Sequence, residues 1–309
     1  MYMYIYIYTY IYIYPYTYTY TFVCTCINTN TYPLYRYEDI FSPYLPTLTP
    51  LIWQLLVSLS SESKFDILAM SAIKFLTCVC SKQMNISLFN EGILTQIIES
   101  IVIKNIYLTS SDEESFCDNA VEYIRKDMEG GDGDTRRRCA MELLRALMKY
   151  FANTINPLVL KYTEILFSSY YASQDYKAKD AALHLLMSVL YLPTTNSLVN
   201  TLNPSIDIYS ILNTHIINEL TVARTSVGKE ILKADCIKFI SMLRGDINSP
   251  TLTHLFSLLV QILAYPCIII QSYASMTLEK ILCVKEKDPV SQLSTPKVPA
   301  QSILPYVES

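Results

Sequence analysis

The sequence predicts an all-α fold, a solenoid of stacked antiparallel helix pairs behind a low-complexity amino-terminal tail. Three observations lead there. One helical phrase recurs along the chain: Ala72-Ile-Lys-Phe-Leu, Ala140-Met-Glu-Leu-Leu, Ala182-Leu-His-Leu-Leu, Cys236-Ile-Lys-Phe-Ile and, more weakly, Ser275-Met-Thr-Leu-Glu. Each phrase follows another apolar helical run, the grammar of repeats that bury their faces only by stacking on neighbours. Glycine is scarce, six in 309 residues, and three of the six cluster at Gly130, Gly131 and Gly133. Little turn material is left for a strand-based fold.

Residues 1–34 stand apart from the rest. From Met1 to Thr21, Tyr alternates with Met, Ile or Thr, broken by Pro15, and no charge occurs before Arg36. Alternating aromatic and β-branched residues make a strand pattern. The same residue types all have codons of alternating purine and pyrimidine, so a translated simple repeat gives this text, and the tail is expected to be disordered or non-native. A membrane span is the rival, since the stretch is long enough. Tyr favours the interface over the bilayer centre, however, and no basic n-region or Leu-rich h-region is present. Without gatekeeper charges the exposed run carries a hazard of β-aggregation.

Residues 35–309 read as the repeat segment. Helices are expected at 50–59, 93–103, 158–169, 206–220 and 252–264, each ahead of one phrase. The phrases start 68, 42, 54 and 39 residues apart. The shorter spacings fall near the roughly 40–47 residues of HEAT or armadillo units, and the wider ones require insertions. After Thr135, the residues Cys139, Leu143, Leu144, Leu147 and Phe151 form one broad apolar stripe, with Asp134 placed to cap the helix. Full burial of Leu143 or Leu147 is worth about 1.5–3 kcal/mol each.

A net charge of −4 and a pI near 5.5 argue against nucleic acid, whose phosphates require a basic face. A basic or peptide-like partner suits this balance. The nine Cys, an odd number, sit mostly in apolar helical runs, as at Cys139, Cys236 and Cys283, and indicate a reducing compartment, nucleus or cytoplasm. Asn85-Ile86-Ser87 matches the glycosylation pattern, but no signal peptide precedes it.

No catalytic constellation emerges. His184, His215 and His254 lie in different helical runs flanked by Leu or Ile, where a His is usually structural. Cys78-Val-Cys80 places its thiols on different helix faces and has no matching second pair for zinc. The stretch 127–134 lacks calcium-loop spacing, with Arg138 where a closing Glu belongs. There is no phosphate loop and no nucleophile elbow. The expectation is a non-enzyme with neither cofactor nor metal.

The informative segment is the insertion at 110–134. Between Asp112 and Asp134 nine acidic residues face only Arg125 and Lys126. Most charge runs are solvated loop tips. Two features argue for more. Phe116, Val121, Tyr123, Ile124 and Met128 give the insertion an apolar side that could dock on a helix. Arg136, Arg137 and Arg138 occupy the first turn of the following helix, where the macrodipole disfavours each cation by about 0.3–1 kcal/mol. Compensation is expected nearby, either from the insertion folding back or from a partner. The candidates for partner contact or switching are therefore Asp112, Glu113, Glu114, Glu129, Asp132, Asp134, Arg136, Arg137 and Arg138.

The run DEESFCDNAVEYIRKDMEGGDGDTRRRCAMELLRALMKYF closely resembles the central insertion of the exportin family of importin-α re-exporters, within the importin-β superfamily. The resemblance continues through YRYEDIFSPYLPTLTPLIWQLLVSLS upstream, and through YKAKDAALHLLMSVL, LKADCIKFISMLR and QSYASMTLEKIL downstream, covering about 35–309. It implies a HEAT superhelix that embraces importin-α and Ran-GTP without catalysing a reaction. It also implies an insertion at 112–134 that helps couple the two partners. Only the middle of such a receptor is matched, so contact with Ran is expected to be incomplete. A generic helical-repeat scaffold or a non-functional truncated product is the alternative. Exposed apolar ends of a cut repeat array should make the chain marginal and prone to aggregate.

Overall fold

The structure, a computed structural model, describes residues 42–128, 134–192, 201–222, 226–287 and 294–307. The tail of residues 1–34, Glu129 and Asp132 lie outside them. The described residues form two compact units. One contains residues 42–107, 134–160 and 192; the other contains 108–128, 161–191, 201–222, 226–287 and 294–307.

In the first unit, α1 (Leu45–Ser58) buries Leu45, Leu48, Ile52 and Leu56 along one stripe. Its Pro46 sits in the first turn, where a missing N–H costs nothing. Helix α2 (Asp66–Cys80) packs on α1 and is apolar nearly all round, with Leu68, Ala69, Ala72, Ile73, Phe75, Leu76 and Val79 buried. Helix α3 (Glu91–Ile97) starts at Asn90, whose side chain accepts from the Ile93 N–H at 2.9 Å. It continues through a π-helical stretch, Ile98–Ile103, into Lys104–Ile106.

In the second unit, α4 (Ser110–Asp118) and α5 (Ala120–Met128) make the insertion helical. A long helix, α6 (Arg136–Ser173), begins in the first unit and continues into the second. It joins the run expected at 158–169 to the phrase before it across a kink at Phe151, where φ is −122° and ψ is 23°. It stops at Gln174, whose φ of 57° gives the left-handed turn that ends many helices. Beyond it come α7 (Tyr176–Val189), then α8 (Ile208–Ile211), which runs through a π stretch, Leu212–Ile216, into Ile217–Thr221. Helices α9 (Val227–Leu243), α10 (Ser249–Ile262) and α11 (Ile268–Leu282) follow. Helix α9 packs on α7 and on α11, and α10 packs on α11. The short connection from α10 to α11 makes the two neighbours antiparallel.

Strand content is small. Two-residue strands β1 (Tyr191–Leu192) and β2 (Thr201–Leu202) precede α8, and β3 (Lys285–Lys287) pairs antiparallel with β4 (Ser294–Pro296) ahead of α12 (Ala300–Val307). Among the described residues, no helix is long and apolar enough to cross a membrane.

Gly228 marks a close approach of two helices. A Cβ there would lie 2.6 Å from Cγ and Cδ1 of Tyr176, so α9 meets the start of α7 where only glycine fits. Helix ends are finished differently. Lys104 Nζ donates to the Val57 carbonyl at 3.2 Å and to that of Leu59, at the end of α1. In the same way Lys233 Nζ reaches Leu220 O at 2.6 Å and Val222 O at 2.9 Å, and Lys297 Nζ reaches Gly245 O at 2.6 Å. A long cation from a later element satisfies carbonyls that a glycine cap would otherwise serve.

Candidate functional site

The acidic insertion is clasped to helices of its own unit. Helix α4 starts with a capping box. Thr109 Oγ1 accepts from the Asp112 N–H at 3.3 Å, and Asp112 Oδ2 accepts from the Thr109 N–H at 2.9 Å. Near the other end Phe116 is buried and meets Tyr123 of α5 edge-on, with ring centroids 5.0 Å apart. Glu113 accepts from Lys177 Nζ, near the start of α7, at 2.7 Å.

Helix α5 carries the second attachment. Both oxygens of Asp127 accept from Lys238 Nζ of α9, at 2.6 and 2.8 Å, and Oδ2 also takes the hydroxyl of Tyr273 in α11. Burial, and then the Asp127 charge, pushes the Tyr273 phenol well up, so it keeps its proton and donates. The inward stripe is Tyr123, Ile124 and Asp127, at helical spacing. Val121 falls off that stripe and is 72% exposed. The apolar side expected from the sequence is therefore narrower: Phe116, Tyr123 and Ile124 face inward, Val121 faces solvent, and nothing is described of the Met128 side chain. The two short helices thus bridge α7, α9 and α11.

The remaining candidates are placed as follows. Glu114 is exposed. Asp134 pairs with Lys74 of α2. It does not cap α6 as expected; Thr135 does, its Oγ1 accepting from the Arg138 N–H at 3.1 Å. Arg136, only 9% exposed, holds Asp66 at 2.6 Å and donates to the carbonyls of Ser60 at 3.0 Å and Glu62 at 2.8 Å. Arg137 Nε donates to the Ile106 carbonyl at 2.8 Å. Arg138 lies 3.5 Å from Glu142 at a half-exposed position. The unfavourable helix start of the arginine triplet is thus met inside its own unit, by Asp66, Glu142 and carbonyls at the ends of earlier segments.

Two buried polar clusters lie in the same unit as the clasp and were not legible in the sequence. In the first, Glu219 of α8 accepts from Tyr170 Oη at 2.6 Å and Lys179 Nζ at 2.9 Å, with Lys229 Nζ at 3.6 Å. Burial pushes the Glu219 carboxyl up, but those hydrogen bonds and the lysine charges outweigh it and hold it below the usual carboxylate value. In the second, ligand-type atoms of Asp180, His184 and Asp235 lie within 4.8 Å of one another, all buried. His184 Nδ1 donates to the Asp180 carbonyl at 2.9 Å; its side-chain Oδ1 is 3.6 Å from Nδ1, and Asp235 Oδ1 is 3.8 Å from Nε2. The imidazole thus stands between a carboxylate of its own helix and one from α9, and the cluster links α7 to α9.

Comparison with known proteins places this architecture. The sequence profile of the Cse1 family matches residues 21–278. The chain belongs to the Cse1 family. Exportin-2 of Xenopus laevis is 34% identical over 277 residues, covering 88% of this chain and 28% of that protein. Exportin-2 of Homo sapiens is 32% identical over the same span and with the same shares. The solved exportin Cse1 in its cargo-free, cytoplasmic state superposes with a TM-score of 0.73 at 30% identity, over 81% of this chain and 28% of that one. The fold is that of the exportin helical-repeat solenoid, and the chain spans little more than a quarter of the length of these relatives.

Proposed function

We propose that this chain acts as a segment of a nuclear export receptor of the exportin-2 kind, moving between nucleus and cytoplasm and holding importin-α as cargo. Its contact with Ran-GTP is a part of the whole receptor's contact, as befits 28% of such a protein's length. The role is one of binding, with no reaction catalysed. Family membership supports the receptor reading, and the clasp of Asp127 on Lys238 and Tyr273 is the observation that points to the insertion as its sensor.

Asp112, Glu113, Glu114, Glu129, Asp132 and Asp134 are the acids that a basic partner segment draws on. Arg138 is a further contact residue of this reading, while Arg136 and Arg137 anchor the helix that follows. Drawing the insertion away from α7, α9 and α11 removes the brace across three helices, so binding and helix spacing become one event.

The test is capture of the full chain by purified importin-α, with and without GTP-loaded Ran. A variant carrying D112N, E113Q, E114Q, D132N and D134N is run beside it. Capture that weakens in the variant supports the assignment. Equal capture leaves a receptor segment whose insertion is not the contact, and no capture of the folded chain removes the cargo reading altogether in favour of a generic scaffold.

A further inference from the structure

We propose that Ser111 is a phosphorylation site for an acid-directed serine/threonine kinase. The segment reads Thr109-Ser110-Ser111-Asp112-Glu113-Glu114, so each of its three hydroxyl residues has an acid three positions later. A kinase that selects acidic substrates does so with a basic groove that reads such an acid. The structure separates the three. Thr109 Oγ1 is held by its own acid, donating to Asp112 Oδ2 at 2.7 Å. Ser110 is exposed, but its acid, Glu113, is taken by Lys177 at 2.7 Å. Ser111 is exposed and its acid, Glu114, is exposed as well. Ser111 also has acids at the next two positions, Asp112 and Glu113.

Access is built into the segment. Phe116 is the one buried residue of α4, and beside its packing on α5 and α9 the helix is held by a polar cap and one partly exposed ion pair, so local opening is cheap compared with the helices beneath. In the transfer, Ser111 Oγ attacks the γ-phosphorus of ATP. The new O–P bond forms as the bond from that phosphorus to the β–γ bridging oxygen breaks. ADP leaves, and the hydroxyl proton passes to the kinase base. The product adds about −1.5 to −2 charge in the first turn of α4, where the helix end favours an anion. The helix therefore survives the modification. The site stands whether or not the insertion contacts importin-α. If it does, the phosphate strengthens its pull on a basic partner.

The test incubates the folded full chain with Mg-ATP and casein kinase 2, a kinase that reads an acid three residues on, and maps the phosphate by mass spectrometry. One phosphate on Ser111 is expected. S111A should lose it and S111T should regain a phosphate at that position. E114Q should lower kcat/KM by roughly tenfold or more, the scale of one lost charged contact. S110A should stay near the unmodified sequence. Labelling that persists in S111A, that maps to Ser110, or that ignores E114Q overturns the assignment. So does a folded chain that stays unlabelled, whether or not a peptide spanning 105–118 is labelled.

Discussion

Asp127→Ala is the most direct probe of the clasp. The carboxylate is chelated by one lysine and one buried phenol, with side-chain exposures of 27% for Asp127 and 18% for Lys238. A hydrogen bond to a charged group is worth about 1.5–3 kcal/mol. Partial exposure pulls the ion-pair part down, but removing the acid also strands the Tyr273 hydroxyl and the Lys238 ammonium. A loss of about 1.5–3 kcal/mol in the local opening energy of α5 follows. At about 1.4 kcal/mol per tenfold, its amides should exchange with deuterium roughly ten to a hundred times faster. Native-state hydrogen exchange reads this directly, with the amides of α9 and α11 as internal reference. The change should shrink in high salt, since part of the interaction is between charges near the surface. If exchange in α5 is unchanged, or if α9 and α11 accelerate as much as α5, the insertion is not held by Asp127 as a separately opening element. The reasoning then fails.

Further expectations follow from the buried clusters and one glycine. Lys179→Met leaves the buried Glu219 with the Tyr170 hydroxyl and the more distant Lys229 and should cost about 3–5 kcal/mol by urea unfolding, whereas Lys179→Met with Glu219→Leu should recover much of it. A double variant no more stable than the single one would show that the pair is not the unit. Gly228→Ala should cost about 1–3 kcal/mol by overpacking against Tyr176, and a smaller residue at Tyr176 should relieve it. His215 is stacked on Phe167 at 3.7 Å and hydrogen-bonded to Tyr171 at 2.9 Å; burial and then the Lys179 charge push its imidazole down to about 4 from 6.5. Between those values the unfolded chain binds the extra proton, so stability should fall as the pH drops from about 6.5 to about 4. His215→Gln should flatten that slope, and an unchanged slope would assign it to other groups.

The helical stripes were legible because burial on one face leaves a period in the text. Leu143, Leu144 and Leu147 are wholly buried, as their spacing requires. Phe151 breaks its own stripe because the backbone kinks there, a tertiary accommodation that no periodicity records. The clasp was only half legible. The acids of the insertion were visible as a charge run, but their partners Lys177, Lys238 and Tyr273 lie 64, 111 and 146 residues away. Asp127 carries a readable signal: it is in helical phase with both Tyr123 and Ile124, whereas Val121 is out of phase with Tyr123. His184 reads as a core histidine, and only the fold brings Asp235 within 3.8 Å of its Nε2.

The cations that finish helix ends have a consequence for how such an array can change. Lys104, Arg136, Arg137, Lys233 and Lys297 each close carbonyls belonging to an earlier segment, at Val57 and Leu59, Ser60 and Glu62, Ile106, Leu220 and Val222, and Gly245. The unit that can be copied or lost without leaving frayed ends therefore does not coincide with a helix pair as drawn. It starts at a carbonyl cluster and ends at the cation that answers it. A duplication cut at the loops would separate the two and leave its last helix open, whereas one cut inside the helices would carry its own closure along.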